Sequence, residues 1–393
     1  MNLQTKRNWI FVRIATWLAV VALFLSTGVV GGQAPSPERA IALEKEGKLA
    51  EAEREWRAWT TANPKDAAAF ASLGVVLSKL GNYEAAAGAY RKAVALNPKL
   101  PGIQLNLGIT EFRQAKFQAA IDPFRAALAA DPESMQVVTL LGMSYYGAGQ
   151  FSEASEYLER ASRADPRNAE LHSVLAQSCL SAKKFDCALG EFTWIMKQNP
   201  NSASAHMLMG QAYDGLKRTD EAIAEFQLAV KADPQATNVH FGLGYLYWKT
   251  GRYDEAAEAF EKQLAIDAQN AEALTYLGDV ELKRNHLDKA LELLKRAVQL
   301  RADIRYAYLD IGSIQTQLQE YDEALTALQH AEKLDPDQID VHFRLGTLYK
   351  AMGKTAESQK EFVKVKELQK KAEDDLADQM NRPRATPARA PQP

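Results

Sequence analysis

Six histidines, two cysteines and a large stock of carboxylates are the side chains of this sequence best suited to chemistry, and their spacing says more than their number. His172, His206, His240 and His342 fall on one column whose step is 34 residues or a multiple of it. Imidazoles repeated in this way raise a metal centre or a proton relay. Packed neighbouring helices stand about 8–10 Å apart whereas a zinc–nitrogen bond is about 2 Å, so such a column does not by itself gather its members on one ion. The histidines read instead as amphipathic packing residues, and His286 and His330 stand alone. Cys179 and Cys187 lie eight residues apart. In an oxidising compartment they can pair, but two separate buried thiols acting as small apolar residues are the simpler reading. Carboxylates fall at helix starts and on surface positions, where they cap and solubilise, and no pair of them stands out. The sequence has no phosphate-binding glycine loop, nucleophile-elbow serine or zinc-spaced cysteine set, and no two histidines share one helical turn. No catalytic residue, metal or cofactor is assigned, and an enzyme is not expected.

What positions these side chains is an internal repeat. Gly74, Gly108, Gly142, Gly210, Gly244, Gly278, Gly312 and Gly346 lie on a 34-residue ladder, interrupted only by Ala176. Alanines follow on the same step from Ala52 to Ala324, as do prolines at Pro64, Pro98, Pro132, Pro166, Pro200, Pro234 and Pro336. Each column has a job in a helix-turn-helix unit. A mid-helix glycine costs about 1 kcal/mol against alanine, so its recurrence implies a close approach by a neighbour, with the alanine column of the second helix as the other side of that contact. Turns such as Gly81-Asn82-Tyr83 and Gly251-Arg252-Tyr253 stop one helix and start the next, and Asn-Pro or Asp-Pro pairs end the second. The seventh and eighth units carry Ala268 and Ala302 in place of proline, and a more continuous helix is expected at those junctions. Large apolar residues such as Leu243 and Phe260 fill the remaining columns, and only stacking of units buries them.

Composition agrees with such an array. Apolar residues make up 47% and charged residues 25% of 393, which excludes disorder along most of the length. The 47 basic and 50 acidic side chains are interleaved with a net charge of −3, so no basic stripe exists for a phosphate backbone and nucleic acid is not expected as a partner. Residues 1–32 differ in kind: Lys6, Arg7 and Arg13 precede an apolar run from Ile14 to Val30, with small residues suited to cleavage after Gly32. This is the layout of a secretory signal peptide, with a retained membrane anchor as the alternative, and either places the remainder outside the cytoplasm.

Leu243-Gly244, Tyr247, Ala256, Phe260 and Pro234 resemble the tetratricopeptide-repeat pattern, which recurs in register over 33–372 as about ten units starting near 33, 67, 101, 135, 169, 203, 237, 271, 305 and 339. Residues 373–393 read as a charged helix end followed by a disordered tail rich in Pro, Ala and Arg. The resemblance implies an all-α, right-handed superhelical solenoid of antiparallel helix pairs whose first helices line a concave groove for a protein or peptide. Groove candidates outside the structural columns are Phe112, Met143 and Tyr146 and, at helical spacing, Phe241, Tyr245 and Trp248, aromatic anchors whose competing role is packing between repeats. Ala71, Val75, Leu105 and Ile109 occupy the places where chaperone-binding relatives grip a carboxylate, so that specialisation is not implied. The expected function is an exported scaffold or adaptor. Alternatives are an anchored component of an envelope complex or an accessory subunit that positions a substrate for a separate enzyme, and the oligomeric state is left open.

Overall fold

The structure, a computed structural model, describes residues 34–381, so the segment read as a signal or anchor and the Pro/Ala/Arg tail lie outside the described residues. Among the described residues are twenty helices and no strand. They divide into two compact units that meet between Pro166 and Arg167. The first unit holds α1 (Pro37–Lys45), α2 (Leu49–Ala62), α3 (Ala67–Lys79), α4 (Tyr83–Leu96), α5 (Ile103–Arg113), α6 (Phe117–Ala130), α7 (Met135–Gly147) and α8 (Phe151–Ala164). The second holds α9 (Ala169–Ser181), α10 (Phe185–Gln198), α11 (Ala203–Gly215), α12 (Thr219–Ala232), α13 (Val239–Lys249), α14 (Tyr253–Ile266), α15 (Ala271–Lys283), α16 (Leu287–Leu300), α17 (Arg305–Gln317), α18 (Tyr321–Leu334), α19 (Ile339–Ala351) and α20 (Thr355–Asn381). Within each unit an odd-numbered helix packs on the even-numbered helix that follows it, and each pair packs on the next, giving an all-α helical solenoid.

The hairpin is defined by its two ends and by its middle. At the turn one residue adopts the left-handed conformation, Gly251 with φ 75° or, where glycine is lacking, Lys217 with φ 62°, so that the chain reverses after the last helical carbonyls. At several first-helix starts a polar side chain takes up a free amide: Asn270 accepts from the Ala273 N–H at 2.9 Å and Asp66 from the Ala69 N–H at 3.0 Å. The Asn270 cap helps explain why the junction at Ala268 does not run on as continuous helix, whereas at Ala302 the next helix starts after Ile304 without a side-chain cap. The α14 helix ends at Ile266 and α16 at Leu300, with Asp267 and Arg301 in extended geometry.

At the middle, the glycine ladder does make a close approach, though its principal partner differs from the alanine column. A Cβ on Gly244 would lie 2.8 Å from the Phe260 ring, on Gly108 2.6 Å from Phe124, and on Gly278 2.6 Å from Leu294, in each case the large residue sixteen positions on. The alanine column contributes its carbonyl, with Ala222 O 3.2 Å from a Cβ built on Gly210, and every member from Ala52 to Ala324 is fully buried. In the last pair Ser358 takes the alanine's place and its hydroxyl donates to the Gly346 carbonyl at 2.8 Å.

Cys179 and Cys187 do not stay separate. The turn between α9 and α10 brings their Cα atoms to 5.8 Å, and the two sulfurs are bonded. Sequence spacing alone does not fix this geometry, because the eight intervening steps include a reversal made by Lys183, with φ 59°.

Two glycine-to-alanine exchanges of opposite sign test the ladder. Gly244→Ala is expected to destabilise by about 1–2 kcal/mol, because forcing the buried Phe260 ring aside outweighs the gain in helix propensity. Gly88→Ala, on the open side of α4 with no atom within 4 Å of its new Cβ, is expected to stabilise by about 0.5–1 kcal/mol. Urea denaturation of both variants reads the difference.

Candidate functional site

In the second unit, the spacing 241, 245, 248 sets Phe241, Tyr245 and Trp248 along one face of α13. The first helices α13, α15, α17 and α19 touch in succession, so residues one repeat apart on them stand beside one another. Gly242, Tyr276, Asp310 and Arg344 form one such column, each immediately before the apolar-glycine pair or its leucine. Tyr276 fills the space beside Gly242's helix and becomes the hub of the aromatic face. Its ring centroid is 5.0 Å from Trp248, 5.6 Å from Tyr245, and 5.8 Å from both Phe241 and Phe260. Its burial raises the phenol above its ordinary pKa.

This face borders a cavity of about 580 Å³ between α13, α15, α17 and α19. Its aromatic wall is Tyr245, Trp248, Tyr276 and the exposed Tyr306. The polar wall is a chain of charge pairs. Trp248 donates its indole N–H to Asp279 Oδ2 at 2.5 Å, and Lys283 Nζ donates to Asp279 Oδ1 at 2.8 Å. Arg301 donates to Glu272 at 2.7 Å and Arg305 to Asp340 at 2.6 Å. Asp310 is set differently. It is only 7% exposed and receives no hydrogen bond shown by the structure; the Arg344 guanidinium lies 3.5 Å away and gives another of its N–H groups to the Ser313 hydroxyl. Burial, with the Asp279 charge adding and Arg344 opposing, pushes the Asp310 carboxyl up to about 7. Phe241 and Tyr245 also border a second cavity of about 350 Å³ with Met207, Gln211 and Asp214.

The candidates of the first unit have different neighbours. Phe112 is half-buried with its ring edge-on to Phe117 at 5.4 Å, and Tyr146 is likewise edge-on to Phe151 at 5.9 Å. Each ring is thus engaged with the first residue of the second helix of its own pair, and Met143 is half-buried one turn before Tyr146. The structure therefore gathers Phe241, Tyr245 and Trp248 on one wall, whereas Phe112 and Tyr146 sit at separate hairpin turns.

Three members of the histidine column strut the two helices of their own repeat. The Nδ1 atoms of His172, His206 and His342 lie 2.5, 2.7 and 2.7 Å from Glu191, Glu225 and Glu361, each nineteen residues on and on the paired second helix. His240 has alanine at that offset, and its Nε2 lies 3.1 Å from the Pro234 carbonyl oxygen; burial lowers its pKa. Among the described residues no group of three or more His, Cys, Asp or Glu side chains is arranged to hold a metal ion.

Sequence reading missed Tyr276, Tyr306, Asp310 and Arg344. The available signal lies in the column before the apolar-glycine pair, where the tyrosine, aspartate and arginine of Tyr276, Asp310 and Arg344 in consecutive repeats are unlike the serine, leucine and valine of Ser72, Leu140 and Val174.

Stacked helix pairs bearing a half-buried aromatic wall on their first helices define a helical-repeat protein of the protein-binding class. Tetratricopeptide-repeat models match residues 38–101, 73–135, 111–178, 182–237, 208–271, 247–309 and 339–371, a further TPR-repeat model matches 312–353, and the chain belongs to the tetratricopeptide-repeat family. No curated protein matches it. Among solved structures it is similar to MamA (26% identity, 42% of this chain and 97% of that one, TM-score 0.38) and to YrrB, described as a TPR protein with an unusual peptide-binding site (24%, 48% and 97%, TM-score 0.39). Yeast Tom70 is similar over 84% of this chain and 91% of its own at 15% identity and a TM-score of 0.40.

Asp310 gives the site a measurable signature. An unfolded aspartate titrates near 3.8 and the folded one at about 7, so the native state holds the proton more tightly. Stability from this group is full below about pH 4 and is lost as the pH rises through 7. Asp310→Asn is therefore expected to stabilise the protein at pH 8, by up to ~4 kcal/mol, and to change little at pH 4. Urea midpoints of both proteins at the two pH values check this.

Proposed function

We propose that this chain is an exported, non-catalytic scaffold that binds an extended segment of a protein or peptide along the first-helix face of its second unit. The observation that carries the proposal is the wall of half-buried rings Tyr245, Trp248 and Tyr276 bordering an open cavity, with Phe241 beside them on the neighbouring one. Rings held on two side-chain torsions offer a partner a large apolar area at small entropic cost, and the Trp248–Asp279 bond fixes one of them in advance. Repeats occupy nearly the whole described chain, and the charge pairs of the cavity are arranged as structural pairs, which supports a binding role over a catalytic one.

Export is supported by the basic and apolar pattern of residues 1–32 and by the Cys179–Cys187 bridge, since disulfides persist in oxidising compartments. Among the described residues no helix is long and apolar enough to cross a membrane.

Two measurements test the proposal. Intact mass of protein from fractionated native cells, with and without reduction, is expected to show a chain beginning at Gln33 and lighter by two hydrogens before reduction. A full-length chain in the membrane fraction would favour the anchored scaffold, and a cytoplasmic chain with free thiols would overturn export. Trp248→Ala is expected to weaken partner binding about 30-fold or more, the loss typical of a central aromatic anchor, with the fold unchanged by circular dichroism.

A further inference from the structure

We propose that the cavity between α13, α15, α17 and α19 receives the cationic side chain, lysine or arginine, of the bound polypeptide, with Asp310 as its counter-ion and Trp248 and Tyr276 as its aromatic walls. This rests on the groove reading above and adds to it the chemistry of the ligand.

The first ground is what the cavity leaves unmet. Both carboxylate oxygens of Asp279 accept hydrogen bonds, from Trp248 and Lys283, and Arg301 and Arg305 are turned onto Glu272 and Asp340. Asp310, more than nine-tenths buried, borders the same space with no hydrogen-bond donor from the protein and with Arg344 only within ion-pair range. A ligand that brings N–H donors and positive charge meets that need, and a buried carboxylate gains most from a charge-assisted bond. The second ground is the wall. Tyr245, Trp248, Tyr276 and Tyr306 border the cavity, and the faces of such rings attract a cation, a use already visible where the Arg305 guanidinium lies 4.4 Å from the Tyr306 centroid. An anionic side chain would confront Glu272, Asp279, Asp310 and Asp340, against lysine and arginines already committed to them. The volume of about 580 Å³ holds a long side chain and part of its backbone.

A pH signature follows. The charges acting on Asp310 are Asp279 and Lys283 from α15 and Asp340 and Arg344 from α19. In the free protein its carboxyl titrates at about 7, and a bound ammonium or guanidinium holds it ionised, so binding releases a proton. Affinity is expected to rise about tenfold from pH 6 to pH 8, following the ionised fraction of Asp310.

The test uses a displayed library of random dodecapeptides panned against the full chain at pH 8, with the selected peptides then synthesised and measured by fluorescence anisotropy. Expected are peptides carrying lysine or arginine beside apolar residues, whose binding requires Trp248, falls tenfold or more when the basic residue is replaced by norleucine, and falls similarly with Asp310→Asn. That variant is also expected to abolish the rise in affinity between pH 6 and pH 8. Peptides that need Trp248 but are indifferent to the norleucine exchange, or that select acidic residues, would overturn the cationic assignment while leaving the groove in place. Recovery of no Trp248-dependent peptide would overturn both.

Discussion

The structure depends on the contact between a glycine midway along each first helix and the large side chain sixteen residues later on the second. The missing side chain at Gly74, Gly108 or Gly244 lets a ring lie directly on the helix backbone, and at Gly278 or Gly312 a leucine. That separation sets how closely two helices approach and, repeated along each unit, where every other column points. A glycine inside a helix is unfavourable in isolation, and its cost is offset by burying Tyr90, Phe124 or Phe260 almost completely.

Once the hairpin is built this way, the first helices have one face committed to their partners and another left to the groove. Columns on that second face differ from repeat to repeat, although some members still pack: a Cβ on Gly242 would run into the Phe226 ring. In the second unit one such column reads glycine, tyrosine, aspartate, arginine through Gly242, Tyr276, Asp310 and Arg344, and the next reads tyrosine, aspartate, serine through Tyr245, Asp279 and Ser313. Because neighbouring first helices touch, these sequences are read sideways as a surface: rings at one end, charges at the other, and Asp310 where they meet. The histidine column follows the same rule. Its members face the second helices of their own pairs, where a glutamate nineteen residues on takes each Nδ1 of His172, His206 and His342.

Buried charge is handled in two contrasting ways. Glu281, almost fully buried, is surrounded by Arg284, His286 and Lys289; against the burial that would raise it, their hydrogen bonds and charge hold its carboxyl below the ordinary range. Asp310, buried to a similar degree, has no hydrogen-bonded cation, only the charges of Arg344 and Lys283 against those of Asp279 and Asp340, and moves the other way. The first arrangement is complete within the protein and serves the fold. The second is incomplete, a cost to stability that makes sense where a ligand finishes the site.

By itself the sequence determined the helix-pair unit, its 34-residue period, the core columns and the family, because glycine, alanine, proline and large apolar residues are constrained by backbone geometry and burial that act over a few residues and repeat without insertion. It also placed Phe241, Tyr245 and Trp248 on one helical face, since 3.6-residue periodicity is local. Tertiary structure alone decided that Tyr276 is the hub of that face, that Asp310 lacks a hydrogen-bond donor, that Cys179 meets Cys187, and that α14 and α16 stop without a proline. Each of these turns on which side chain from another helix or across a turn arrives at a given distance, and neither composition nor spacing carries that information.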